Sequence, residues 1–206
     1  MSKKESNNNN IEHSDTITMF KNPILEKLSR THVSIPISIF FLYSGALLYW
    51  SVDSVHLSIS TILGLFFTGW LSFTLVEYLA HRYVFHMSVH NKLRKKLQYA
   101  FHGVHHDYPK DKDRLAMPPI MSVTFSTILL FVFKLFMNGY VFAFLPGFLV
   151  GYAMYLLVHY IVHSFPPPKN FFRKLWINHS IHHHKDDSII FGVSSPLWDY
   201  VFRTHK

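Results

Sequence analysis

The apolar positions of this chain gather into four long runs separated by polar segments. Residues 33–52 form a run with no charge in it. Residues 57–80 are broken by Glu77 near their end, residues 118–137 hold Lys134 in their last turn, and residues 140–164 hold His159 and His163. A bilayer core about 30 Å thick needs roughly 20 residues of helix, and each run meets that length. The alternative is a set of buried helices in a soluble domain. Four such runs in 206 residues leave too little polar sequence to cover them. The pattern therefore predicts an all-α integral membrane protein with four transmembrane helices.

The basic residues fall into three segments. Lys3, Lys4, Lys21, Lys27 and Arg30 precede the first run. Arg82, Lys92, Arg94, Lys95, Lys96, Lys110, Lys112 and Arg114 lie between the second and third, and Lys169, Arg173, Lys174, Lys185, Arg203 and Lys206 follow the fourth. The other two connections carry none, and Lys134 is placed to snorkel to an interface. With four spans, all three basic segments share one face. The positive-inside rule makes that face cytoplasmic, with both termini on it. The net charge of +8 then reflects topology and lipid contact, and nucleic acid is not an expected partner.

Residues 1–15 are polar, with an asparagine run at 7–10, and no apolar stretch follows the first lysines as a cleavable signal peptide requires. The expected organisation is a tail with an interfacial helix over 23–30, making residues 1–30 one segment. Residues 31–206 form a membrane-embedded domain with a cytoplasmic helical cap. No retention signal of the KDEL type closes the sequence, which leaves a bacterial inner membrane and an endoplasmic reticulum as candidate locations. The chain has no Cys, which excludes disulfides, thiolate metal sites and a cysteine nucleophile.

The histidines carry the chemistry. Of 16, ten fall into four groups: His81 and His86; His102, His105 and His106; His159 and His163; His179, His182 and His183. Each group sits at or beside the cytoplasmic end of an apolar run. On a helix, positions i, i+3 and i+4 share a face, so each H-x2-HH triplet is expected to aim three imidazoles toward one region. His81 and His86 are five positions apart, about 140° around a regular helix; either the helix ends there or the two serve different ions. Imidazole suits zinc, copper, iron and nickel. Ten ligands exceed one ion's needs, whereas two six-coordinate ions with five His each keep one open position apiece, as a catalytic centre requires. Chemistry with O2 calls for iron, and zinc fits the same sites. His13, His32, His56 and His205 are read as ordinary packed or surface residues, and His90 and His184 merely adjoin the groups. Metal-bound His usually donates its second N–H to an acceptor; Glu77, four residues before His81, and Asp107, next to His106, are the candidates.

The strings VEYLAHRYVFH, FHGVHHDYPKDKDRLAMPP, GYAMYLLVHYIVH and HSIHHHKDDSIIFGVSSPLWDYVFRT resemble the fatty acid hydroxylase superfamily, and within it the fatty acid 2-hydroxylases, over residues 74–204. The stretch from Tyr108 to Pro119 is more specific than the histidines and points away from carotenoid and sterol branches. The resemblance implies that all ten His are ligands of a dimetal centre. It also implies O2-dependent hydroxylation of a long acyl chain at C2, with a membrane lipid as substrate. Many eukaryotic members carry an N-terminal cytochrome b5 domain; none is expected here, so electrons come from a separate donor such as cytochrome b5 or a ferredoxin. Leu156 stands where the family pattern leads us to expect an acid, and Ser164 where it leads us to expect a further His. Competing readings are a carotenoid-ring hydroxylase, sterol oxidase or acyl desaturase on the same scaffold. A metal transporter or a haem protein is the non-enzymatic competitor.

Overall fold

The computed structural model describes residues 17–88 and 90–205. The predicted polar tail over residues 1–15, with Lys3, Lys4 and His13, lies outside the described residues, as does Lys206. The described residues form helices and loops, with no strand among them. Helix α1 spans Pro23–Leu28, α2 Ser34–Asp53, α3 Ile59–Ala80, α4 Lys92–Gln98 and α5 Val104–Asp107. Then come α6 at Pro119–Met137, α7 at Val141–Ser164, α8 at Arg173–His184 and α9 at Leu197–Val201. Two five-residue π-turns interrupt this order: His81–Phe85 extends α3, and Tyr99–Gly103 joins α4 to α5.

The helix ends have local causes. Ser58 caps α3 by accepting from the Thr61 amide at 3.3 Å. Pro119 opens α6 at a position where its missing N–H is not needed. Three stretches of the described residues are long and apolar enough to cross a membrane: Ser34–Asp53, Ile59–Phe85 and Lys112–Ser164. The third is divided at Asn138, whose φ of 49° breaks the helical path between α6 and α7.

Helix α7 is the centre of the bundle. Phe40 of α2 stacks on Tyr152, and Trp50 meets Phe142, so α2 runs antiparallel to α7. Helix α3 runs parallel to it and much closer. A Cβ on Gly147 would strike the Phe66 carbonyl oxygen, and one on Gly69 would strike that of Phe144. Glycine is what lets the two backbones touch, as small residues do between membrane helices. Phe40, Phe73, Leu145, Phe148, Leu149 and Leu156 fill the shared core. The outer faces stay apolar: Leu42, Leu135 and Phe136 are 75–80% exposed, a surface suited to acyl chains rather than water.

Because α3 and α7 are parallel, their C-termini deliver His81 and His159 to the same end of the bundle. The expected helix at 23–30 is α1, anchored there by Arg114. That guanidinium donates to Glu26 Oε1 at 2.5 Å, to the Ile17 carbonyl at 2.7 Å and to Ser29 Oγ at 2.9 Å. The stretch from Tyr108 to Pro119 thus holds the N-terminal segment onto the histidine end.

Candidate metal centre

All ten histidines of the four sequence groups meet at this end, as two sets of five. His81, His86, His102, His106 and His182 form one set; His105, His159, His163, His179 and His183 form the other. In each set, one ring nitrogen per residue lies within 4.8 Å of all the others. His81 and His102 bring their Nε2 atoms to 3.1 Å, His106 and His102 to 3.0 Å, and His182 and His86 to 3.0 Å. In the second set, the His163 and His179 Nε2 atoms stand 2.6 Å apart.

The grouping differs from expectation in one respect. The triplets do not each serve one region. His102 and His106 go to the first set, while His105 goes to the second; His179 and His183 go to the second, while His182 goes to the first. The reason is helical geometry. At ~100° per residue, positions i and i+4 are about 40° apart, whereas i+3 lies about 60° to the other side. Each triplet lies between the two sets and gives its i+3 member to the set opposite. His159 and His163, spaced i and i+4, stay together.

The H-x4-H pair is reconciled by the π-turn. The His86 amide donates to the His81 carbonyl at 3.1 Å, an i to i+5 bond that brings the fifth residue round to the face of the first. Both rings therefore enter the same set. The second π-turn contains His102.

The acceptors that orient the rings come mainly from the backbone. A carbonyl only accepts, so His81 Nδ1–H donates to Phe191 O at 2.5 Å and His182 Nδ1–H to Ile189 O at 2.8 Å. Each of these rings therefore turns an unprotonated Nε2 inward. His86 Nδ1 lies 3.6 Å from Asp187 Oδ2. Glu77 does not take the place beside His81 that its spacing suggests. Its Oε1 accepts from the Val193 and Ser194 amides, each at 2.8 Å, and Oε2 from the Ser194 hydroxyl. Asp199, fully buried, accepts from the Phe191 and Gly192 amides at 2.8 Å and from the Thr204 hydroxyl at 2.7 Å. These two carboxylates fix the loop that presents the Phe191 carbonyl, so Glu77 acts one step further from the ring than its spacing suggests. Asp107 lies beside the Tyr99 hydroxyl. Spacing gave no signal for Asp187 or Asp199. Asp199 does lie in the WDYVF segment that contributes to the resemblance.

Burial holds the rings neutral. It pushes His86 down to about 4, helped by His182 and opposed by Asp187. Burial and the neighbours His182 and His86 push His106 down to about 3. His102, His105 and His179 fall well below the ordinary imidazole value for the same reason, each reinforced by adjacent rings. Neutral imidazole is the form that ligates a metal.

The donor set fits metal ions. Two nitrogens bound at ~2.1 Å to one ion and at right angles stand ~3.0 Å apart, close to the separations in the first set. In the second, both ring nitrogens of His105, His159 and His183 are buried without a hydrogen-bond partner among the described residues. Leaving one buried polar atom unpaired costs about 1–3 kcal/mol, so such a concentration of them calls for a ligand. Outside the two sets, His90 meets only the Ser88 hydroxyl among the described residues, His32 meets Ser34, and His205 stacks on Tyr200. Leu156 belongs to the apolar core, and the Ser164 hydroxyl is buried without a partner among the described residues.

A cavity of about 500 Å³ opens on the second set. His163, His179 and His183 line it together with Lys110, Arg173 and Trp176. Trp176 Nε1–H donates to the Phe165 carbonyl at 2.8 Å, which braces the wall.

The sequence profile of the fatty acid hydroxylase family matches residues 66–204. The chain is 36% identical over 149 residues to a ceramide very long chain fatty acid hydroxylase of Schizosaccharomyces pombe, covering 70% of this chain and 43% of the relative. It is 36% identical to the fatty acid 2-hydroxylase of Rattus norvegicus, over 70% of this chain and 40% of that one. Against a dihydroceramide fatty acyl 2-hydroxylase of Arabidopsis thaliana it is 33% identical, over 76% and 73%. The chain thus spans about two fifths of the length of the fungal and rodent relatives. A solved structure described as full-length scs7p, with only the hydroxylase domain visible, superimposes with a TM-score of 0.82 at 29% identity. That match covers 91% of this chain and 71% of the other. The profile match takes in every one of the ten clustered histidines, and on this evidence the chain belongs to the fatty acid hydroxylase family.

Proposed function

We propose that this chain is a membrane oxygenase that hydroxylates a long acyl chain at C2, with a pair of metal ions held by the ten histidines. The observation that carries the reading is the convergence of those rings into two sets of five at one end of an apolar bundle. The names of the relatives, fatty acid and ceramide 2-hydroxylases, support the acyl substrate and the C2 position. The bound ions, with iron serving the redox chemistry and zinc able to occupy the same sites, supply O2 activation; two electrons come from a separate donor such as cytochrome b5 or a ferredoxin.

The chain's own residues supply placement. The carbonyls of Phe191 and Ile189 hold His81 and His182 with Nε2 inward. Glu77 and Asp199 hold the loop that carries the Phe191 carbonyl. The cavity beside the second set has Lys110 and Arg173 in its lining, cations suited to the polar carboxyl end of a lipid whose tail remains in the bilayer. C2 adjoins that end. A centre at the membrane edge therefore meets C2 without bending the tail.

The membrane arrangement belongs to the same proposal. Helices α2, α3, α6 and α7 make four passes. Residues 31–206 form the membrane-embedded domain, and the histidine cap and both termini face the cytoplasm, in a bacterial inner membrane or an endoplasmic reticulum. The three basic segments support that orientation. Residues 1–30 add a tail and the interfacial helix α1, whose Ile24, Leu25 and Leu28 are exposed.

The test is lipid mass spectrometry of a host expressing the chain, with metal analysis of the purified protein. Accumulation of 2-hydroxy acyl chains together with two ions per chain is expected. Hydroxylated carotenoid or sterol with unchanged acyl chains would overturn the substrate assignment. A Soret band, or metal uptake into vesicles without oxidised lipid, would overturn the enzymatic one.

A further inference from the structure

The two histidine sets are built differently. Two members of the first have an acceptor within hydrogen-bond distance of the nitrogen that points away from the set, Phe191 O for His81 and Ile189 O for His182, and His86 Nδ1 faces the Asp187 carboxylate at 3.6 Å. In the second set, His105, His159 and His183 have no partner on either ring nitrogen among the described residues. The cavity, an independent feature, touches His163, His179 and His183 and no member of the first set.

We propose that the two metal sites are inequivalent. The set of His81, His86, His102, His106 and His182 is the retaining site. The set of His105, His159, His163, His179 and His183 is the exchangeable site, and it is the one that faces the bound lipid. The inference rests on the two-ion reading given above.

The physical basis is the outer partner. An acceptor on Nδ1–H fixes the tautomer and the ring plane, and raises the basicity of the nitrogen that binds the ion. Losing such a partner typically costs 10–100-fold in metal affinity. The first set has two of these supports on backbone carbonyls, and the Asp187 carboxylate stands beside a third ring. The second relies on packing, and it also has an open route by which a ligand or chelator can reach it.

Zinc provides the probe, because it binds imidazole without redox change. The full chain, purified in detergent and loaded with zinc, is mixed with a chelator, and the metal remaining is counted over time. The expected result is two phases of one ion each, with rates separated by roughly 10–100-fold. His183→Ala removes the fast phase and leaves the slow one; His182→Ala does the reverse. Asp187→Asn, a milder change, accelerates the slow phase and leaves the fast one unaltered, which keeps the test decisive if an alanine variant fails to fold. Two ions leaving at one rate overturn the inequivalence, and a fast phase lost in His182→Ala and kept in His183→Ala overturns the assignment of the retaining and exchangeable sets; both leave the two-ion reading intact. A chain that takes up no zinc overturns both.

Discussion

His182 and His86 bring their Nε2 atoms to 3.0 Å across 96 residues of sequence. The contact joins the C-terminal triplet to the end of α3, just as His105 joins the middle triplet to the end of α7. These two i+3 histidines are the crossing members, each leaving its triplet neighbours for the opposite set. Replacing either by Ala removes one ligand and opens a gap at the boundary between sites. We expect His105→Ala and His182→Ala each to lose about one ion per chain, and to lower 2-hydroxy product by more than the 10–100-fold typical of an outer partner. His90→Ala, four residues from His86 and outside both sets, leaves both unchanged. Metal analysis and lipid profiling of the three variants decide the matter.

The π-turn makes a sharper statement about register. An H-x4-H pair on a π-turn presents its rings as an H-x3-H pair does on an α-helix. Deleting Val84, which is exposed, converts one into the other and leaves His81 and His86 on one face. Inserting a residue after Val84 carries His86 about 100° further round. The deletion is therefore expected to keep two ions per chain and the insertion to lose one, both read by metal analysis after purification.

Periodicity and composition made the apolar helices and the ten clustered histidines legible, because both depend on residue type and local spacing. Partner choice between sets was not legible. It depends on how α5 and α8 are placed against α3 and α7, and a triplet lying between two ions reads the same as one serving a single ion. The His81–His86 spacing stayed ambiguous because a π-turn has no marker in composition. The outer acceptors were hidden for a different reason: the Phe191 and Ile189 carbonyls exist at every residue, and Glu77 looked like a partner of His81 only because i+4 spacing suggests contact. Its real partners are 116 and 117 residues away.

That long reach gives Glu77 a testable role. Glu77→Ala removes the acceptor for two loop amides, each costing about 1–3 kcal/mol if left unpaired, and frees the loop that carries the Phe191 carbonyl. The expected outcome is a lower Tm and faster loss of the first set's ion. Glu77→Gln keeps one acceptor oxygen and should show a smaller effect of the same kind. Thermal melts and timed chelation read both, and an unchanged chelation rate in Glu77→Ala would disconnect this loop from the metal site.

The buried rings also set a direction for pH dependence in the metal-free protein. The unfolded chain protonates its histidines near 6.5, whereas in the folded state burial and neighbouring rings hold His86 down to about 4 and His106 to about 3. Below about 6.5 the unfolded state therefore binds more protons than the folded one, and stability falls as pH falls. The loss begins near 6.5 and continues until the folded-state values are passed, at about 4 for His86 and about 3 for His106. Thermal melts of the apoprotein in detergent should show Tm decreasing steadily from pH 7 to pH 4.5. His106→Gln, which removes one titrating ring, should flatten that slope. A Tm that rises on acidification over this range would mean that the rings take up protons in the folded state, contrary to the neutral, metal-ready form described for them.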